Sequence, residues 1–156
     1  MKLHLILTSA LLIPVLARAD DHGHELRLDA CPAPVRATIE AHAREGIIEE
    51  VEHIAIGDRE IYIAEVELPR DLDLAIHVLG NGTLVKTRED LPKDQLPAFA
   101  TSLAAEREGH LDDVDMETAD GKVTYHLEID RRGRPDLELI TDSTGRVLRE
   151  TEEHDD

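Results

Sequence analysis

The sequence predicts an α+β fold: two tandem helix-β-β-β-β repeats forming one antiparallel sheet, with both helices packed on one face. Three observations predict it. Shifted by 63 residues, 34–90 lies on 97–153 without a gap, and 14 of the 57 aligned positions are identical, among them Pro34/Pro97, Gly46/Gly109, Tyr62/Tyr125 and Gly82/Gly145. Such a period fixes the structural unit before any residue is given a role. Each unit opens on proline and a helical stretch closed by glycine. Each then continues as a run of strand-like segments punctuated by hairpin dipeptides.

Taken in order, residues 1–19 read as a secretory signal peptide: Lys2 gives a positive start, 3–16 is mostly apolar, and Ala17-Arg18-Ala19 is an A-x-A cleavage site. Residues 20–30 form an acidic, histidine-bearing tail expected to be disordered after cleavage. The first repeat spans 31–90, the second 91–153, and 154–156 is an acidic C-terminus. Pro32-Ala33-Pro34 opens the first helix, since a missing N–H costs nothing in a first turn. That helix runs to Glu45, and Gly46 stands where a left-handed C-cap is expected. Residues 96–108 and Gly109 repeat the pattern. The apolar anchors, Val35 and Ile39 in one helix and Phe99 and Leu103 in the other, fall one residue out of step under the 63-residue shift. Either the second helix is rotated or a slip is hidden there.

Strands are expected over Ile47–Ile56, 60–68, Leu72–Leu79 and 83–88, and again over 111–119, 123–130, 135–141 and 146–151. The period-2 alternation of a half-buried strand is clearest where Val123, Tyr125, Leu127 and Ile129 interleave with Thr124, His126, Glu128 and Asp130. Asn81-Gly82 and Thr144-Gly145 are hairpin turn signals. Short connections force antiparallel neighbours. A unit of about 60 residues buries only a marginal core, so the two units are expected to share one sheet.

Cleavage at Ala19 removes Lys2 and Arg18 but no acid, leaving 15 basic against 35 acidic residues and a formal charge of −20. That field repels phosphate, which excludes nucleic acid and anionic membrane surfaces as partners. No later segment is apolar for long enough to span a membrane. The single cysteine, Cys31, rules out an internal disulfide. It is read as a small residue at the helix approach or as the site of an intermolecular bridge.

Local chemistry is sparse. If cleavage follows Ala19, the new terminus is Asp20-Asp21-His22, whose amine, backbone amides and imidazole can wrap Cu(II) or Ni(II) in a square plane, with His24 as an extra ligand. No other cofactor is indicated. The remaining histidines show no metal-ligand spacing. The carboxylates Asp112, Asp113, Asp115 and Glu117 fail as an EF-hand, because Thr118 stands where glycine belongs and Thr124 where the bidentate glutamate belongs. No nucleophile elbow, H-E-x-x-H or phosphate-cradling loop occurs. The chain is read as a non-enzyme.

The helix opened by Pro34-x-x or Leu96-Pro97, the glycine stops Gly46 and Gly109, the strand tyrosines Tyr62 and Tyr125, and the hairpin glycines Gly82 and Gly145 together resemble the PepSY-like family of exported bacterial proteins. That family is similar in fold to β-lactamase inhibitory protein. The resemblance covers 31–153 and implies a periplasmic or secreted binding or inhibitory module. Its open sheet face would carry the contact through Ile61, Ile63, Ala75, His77 and Leu79, an apolar strip in the first unit. The equivalent face in the second unit, read as Thr124, His126, Glu128, Glu138 and Asp142, is polar. A periplasmic protein is the expected partner, with a tail or the second subunit of a homodimer as the other candidate cover for the strip.

Overall fold

The computed structural model describes residues 24–152. In chain order these form β1 (His24–Leu26), a short 3-10 turn (Leu28–Ala30), α1 (Ala33–His42), β2 (Ile47–Ile56), β3 (Arg59–Leu68), β4 (Leu72–Leu79), β5 (Leu84–Asp90), α2 (Ala98–Glu106), β6 (His110–Ala119), β7 (Lys122–Asp130), β8 (Leu137–Asp142) and β9 (Val147–Glu152). The nine strands make one sheet in which every strand pairs antiparallel with its neighbours in sequence. The fold class is α+β, with two helices on an open sheet.

Register decides which side chains share a face, because directly opposed residues in an antiparallel pair leave the sheet on the same side. One face runs through Val51, Ala64, Ile76 and Thr87 to Thr118, then through Val114, Leu127 and Leu139. Both helices cover this face. Val35 and Ile39 of α1 pack with Val51, Tyr62, Ala64, Val66, Leu74, Ile76 and Val78. Ala100 and Ala104 of α2 pack with Val114, Leu127, Ile129, Leu137 and Leu139. The fully excluded side chains Leu74, Ile76, Leu127, Ile129 and Leu139 mark the two ends of this core.

Two local expectations are corrected. The tail is not disordered throughout: Leu26 and Leu28 pack against the first core cluster, which draws His24–Leu26 onto the free edge of β2. Gly46 is not a left-handed cap, since Arg44 takes that conformation at φ 55 and Glu108 does so at φ 57 before Gly109. The glycines are required by close approach instead. A Cβ on Gly46 would stand 2.8 Å from the Glu67 carbonyl oxygen and 2.5 Å from Val66 Cγ1, and one on Gly109 would stand 2.8 Å from the Asp130 carbonyl oxygen.

The helix anchors also differ. Phe99 and Leu103 are only partly buried, whereas Ala100 and Ala104 are fully enclosed. β2 and β6 begin at Ile47 and His110, 63 positions apart, but α1 and α2 begin at Ala33 and Ala98, 65 positions apart. The hairpin glycines report the same slip: Gly82 lies against Pro34 and Gly145 against Phe99. The helices are therefore two residues out of phase with the strands.

Candidate functional site

The second face of the sheet carries no helix. Its register opposes Ile61 to Leu79, Ile63 to His77 and Glu65 to Ala75 across β3 and β4, so the five residues read from the sequence as a strip share one face and adjoin each other. β2 adds Ile54 opposite Ile61 and Glu52 opposite Ile63. Ile54, Ile61, Ile63, Ala75, His77 and Leu79 are each half-buried, screened by one another on a bare sheet. Ile54 was not singled out from the sequence, although the spacing Glu50, Glu52, Ile54 on one side of β2 would have found it.

His77 belongs to this apolar surface in its neutral form. Burial, followed by the nearby Lys86 ammonium, pushes its imidazole down to about 4. The strip therefore carries no charge of its own near neutral pH.

Beyond His77 the same face turns into a ladder of opposite charges. Lys86 stands opposite His77, and Arg88 opposite Ala75. Lys86 Nζ donates to Glu117 Oε2 at 2.8 Å, and Arg88 Nε donates to Asp115 Oδ2 at 2.6 Å. His126 lies between two carboxylates, 3.8 Å from Glu117 and 3.6 Å from Glu138, and Arg149 closes the row on Glu138 at 2.7 Å. The Arg149 hydrogen bond holds the Glu138 carboxyl below its ordinary range. Asp142, bonded by the Thr144 hydroxyl and backbone and by Arg146, is held at about 2. Each such surface pair contributes about 0–1 kcal/mol, so the ladder matters mainly as a charge-satisfied region. The open face thus divides into an apolar half on β2–β4 and a charge-paired half on β5–β9.

The carboxylates of Asp90, Asp113 and Asp115 converge, with ligand oxygens within 4.8 Å of one another. Burial, together with a hydrogen bond to Asp115, raises Asp90 to about 6. The Arg88 guanidinium already supplies the positive charge that this group needs. Asp20, Asp21 and His22 lie outside the described residues, and His24 sits in β1 opposite His53. Cys31 is buried, its thiol is pushed up by burial, and it points to the Arg27 carbonyl at 3.7 Å. That is the environment of a packed thiol and not of a nucleophile.

No family model and no curated protein sequence matches the chain. Solved structures do. A DUF2874 family protein from Bacteroides uniformis superposes with a TM-score of 0.60 at 17% identity, covering 78% of this chain and 89% of that one. A BLIP-like protein from Bacteroides fragilis gives 0.58 at 14%, covering 81% and 90%. A candidate periplasmic protein from Bacteroides eggerthii gives 0.61 at 14%, covering 78% and 88%. Among the described residues no helix is long and apolar enough to cross a membrane. At such identities the likeness is one of fold: the chain has a BLIP-like fold.

Proposed function

We propose that the chain is a non-enzymatic binding module of PepSY-like type, exported to the periplasm after cleavage at Ala19, which holds a protein partner against the bare face of its sheet. The observation that carries this reading is the contiguous strip Ile54, Ile61, Ile63 and Leu79 on the sheet face that no helix covers. Apolar surface gathered in one place and rimmed by charged residues is the signature of an interaction site. Neutral His77 keeps the strip uncharged, and Lys86 and Arg88 form its polar margin. The BLIP-like and periplasmic neighbours support a binding role outside the cytoplasm. The two helix-plus-four-strand halves are, on this reading, copies of one unit whose open faces have diverged, the first to bind and the second to stay solvated.

The test is a pull-down from periplasmic extract with the exported chain and with Ile63→Asp, at low and raised salt. A saturable partner that survives salt and is lost with Ile63→Asp is the expected result. Capture that persists in the variant would remove the strip from the reading, and capture lost to salt alone would move it to the −20 charge. Sedimentation velocity of the exported chain separates a foreign partner from a second copy. Circular dichroism of the variant keeps unfolding from being mistaken for lost binding.

A further inference from the structure

We infer that His24, His53 and Glu60 form a site for a divalent cation of the Zn²⁺ class at the β1 edge of the sheet. His24 and His53 are directly opposed in the β1–β2 register and leave the sheet on the same face. Opposed Cβ atoms lie about 4.5–5.5 Å apart, a spacing from which two imidazoles can reach one ion. His53 is already fixed. Its ring stacks on Tyr62 with centroids 4.6 Å apart and planes 21° from parallel, and Tyr62 is itself buried in the core.

Nε2 of His53 is buried and has no hydrogen-bond partner. An orphaned buried nitrogen costs about 1–3 kcal/mol, so something must repay it. The nearest counter-group is a Glu60 carboxylate oxygen at 3.7 Å, beyond hydrogen-bond reach. That gap is close to the edge of a tetrahedron, about 3.4 Å, drawn with bonds of about 2.0–2.2 Å to nitrogen and carboxylate oxygen. An ion seated between them would satisfy both groups at once. Glu60 is held at its backbone, where its carbonyl accepts the Gly80 N–H at 2.9 Å. His24 is exposed on the edge strand opposite His53, and its ring, turned toward His53, would supply the third ligand. Water completes the four.

The donor set selects the metal. Two imidazoles and one carboxylate suit Zn²⁺, which imposes no geometry of its own, whereas Ca²⁺ requires an all-oxygen cage. Cu(II) and Ni(II) instead favour the square plane available at a free Asp20-Asp21-His22 terminus. The three ligands come together only when β1, β2 and β3 are paired. Binding must therefore stabilise the folded chain and hold β1 in place.

The experiment titrates ZnCl₂ into the exported chain by calorimetry and follows thermal unfolding with and without the ion. One Zn²⁺ per chain and a rise in the unfolding temperature are expected. His24→Ala, at an exposed position, should weaken binding about 10-fold or more and cancel the rise, as should Glu60→Gln. His22→Ala should change neither. Unaltered Zn²⁺ binding in His24→Ala, or binding that leaves the unfolding temperature unmoved, would overturn the site.

Discussion

Ile63 and His77 stand directly opposite each other on β3 and β4, on the face that no helix covers. Burial first, and Lys86 second, lower His77 from 6.5 to about 4. The native chain therefore holds fewer protons here than the unfolded chain between pH 4 and 6.5. Stability that is complete above pH 6.5 falls as pH drops through this window and is lost no further below about 4. His77→Leu should flatten this slope: between about pH 7 and 4.5 it should lose about 1–2 kcal/mol less stability than the parent, a figure discounted for partial exposure. Urea midpoints at the two pH values measure it, and equal losses would show that His77 titrates freely.

Asp90 behaves with the opposite sign. Burial, the Asp115 carboxyl and the Asp113 charge raise it from 3.8 to about 6, against the Asp73 backbone N–H, which lowers it from 3.1 Å away. A carboxyl that holds its proton longer in the native state loses stability as pH rises from about 4 to 6, and the loss is complete above that. Asp90→Asn keeps an acceptor for the Asp73 N–H while removing the charge. It should stabilise the protein by roughly 1 kcal/mol at about pH 7, after allowing for solvent screening, and by little at about pH 4. Chemical denaturation at both pH values decides it; a gain of the same size at the lower pH would implicate something other than ionisation.

Gly46 and Gly109 should be less replaceable than the hairpin glycines Gly57 and Gly121. Alanine at either forces a methyl group against the backbone of β3 or β7, since Glu67 and Asp130 carbonyl oxygens lie 2.8 Å from the Cβ positions. Overpacking against backbone costs about 1–3 kcal/mol. At the hairpin glycines Gly57 and Gly121 a Cβ meets nothing within 4 Å, but φ is +60° and +72°. Alanine there should cost about 1 kcal/mol through backbone strain alone. Thermal unfolding of the four single variants ranks them, and a Gly46→Ala no worse than Gly57→Ala would reject the close-approach account.

The strands were legible because burial on one face writes itself into a period of two. Leu74 and Ile76 alternate with Ala75 and His77, and Leu137 and Leu139 with Glu138 and Ile140, so both elements and their covered side can be read directly. The same alternation places Ile61, Ile63, Ala75, His77 and Leu79 on one surface. What register brings together across strands was not legible: His24 and His53 become neighbours only because Leu26 docks beside Val51, a fact of packing and not of spacing. Gly46 was misread because close approach and left-handed capping both favour glycine, and only the backbone angles separate them. The helix phase was hidden by alanine, which suits a buried and an exposed helical position alike.

That phase makes a sharp test. Ala41 and Ala104 are identical residues 63 positions apart, and sequence alignment treats them as equivalent. Ala41 is exposed on α1, however, while Ala104 is 2% exposed and packed in the second core cluster, where the two-residue slip aligns it with Ile39. Ala41→Leu should change stability by no more than about 0.5 kcal/mol, as surface substitutions do. Ala104→Leu adds three carbons to a filled space and should cost about 1–3 kcal/mol. Paired denaturation curves check both. Equal effects would mean that the helices keep the 63-residue phase of the strands, whereas the expected asymmetry would establish that α2 has slid by two residues along its own sheet.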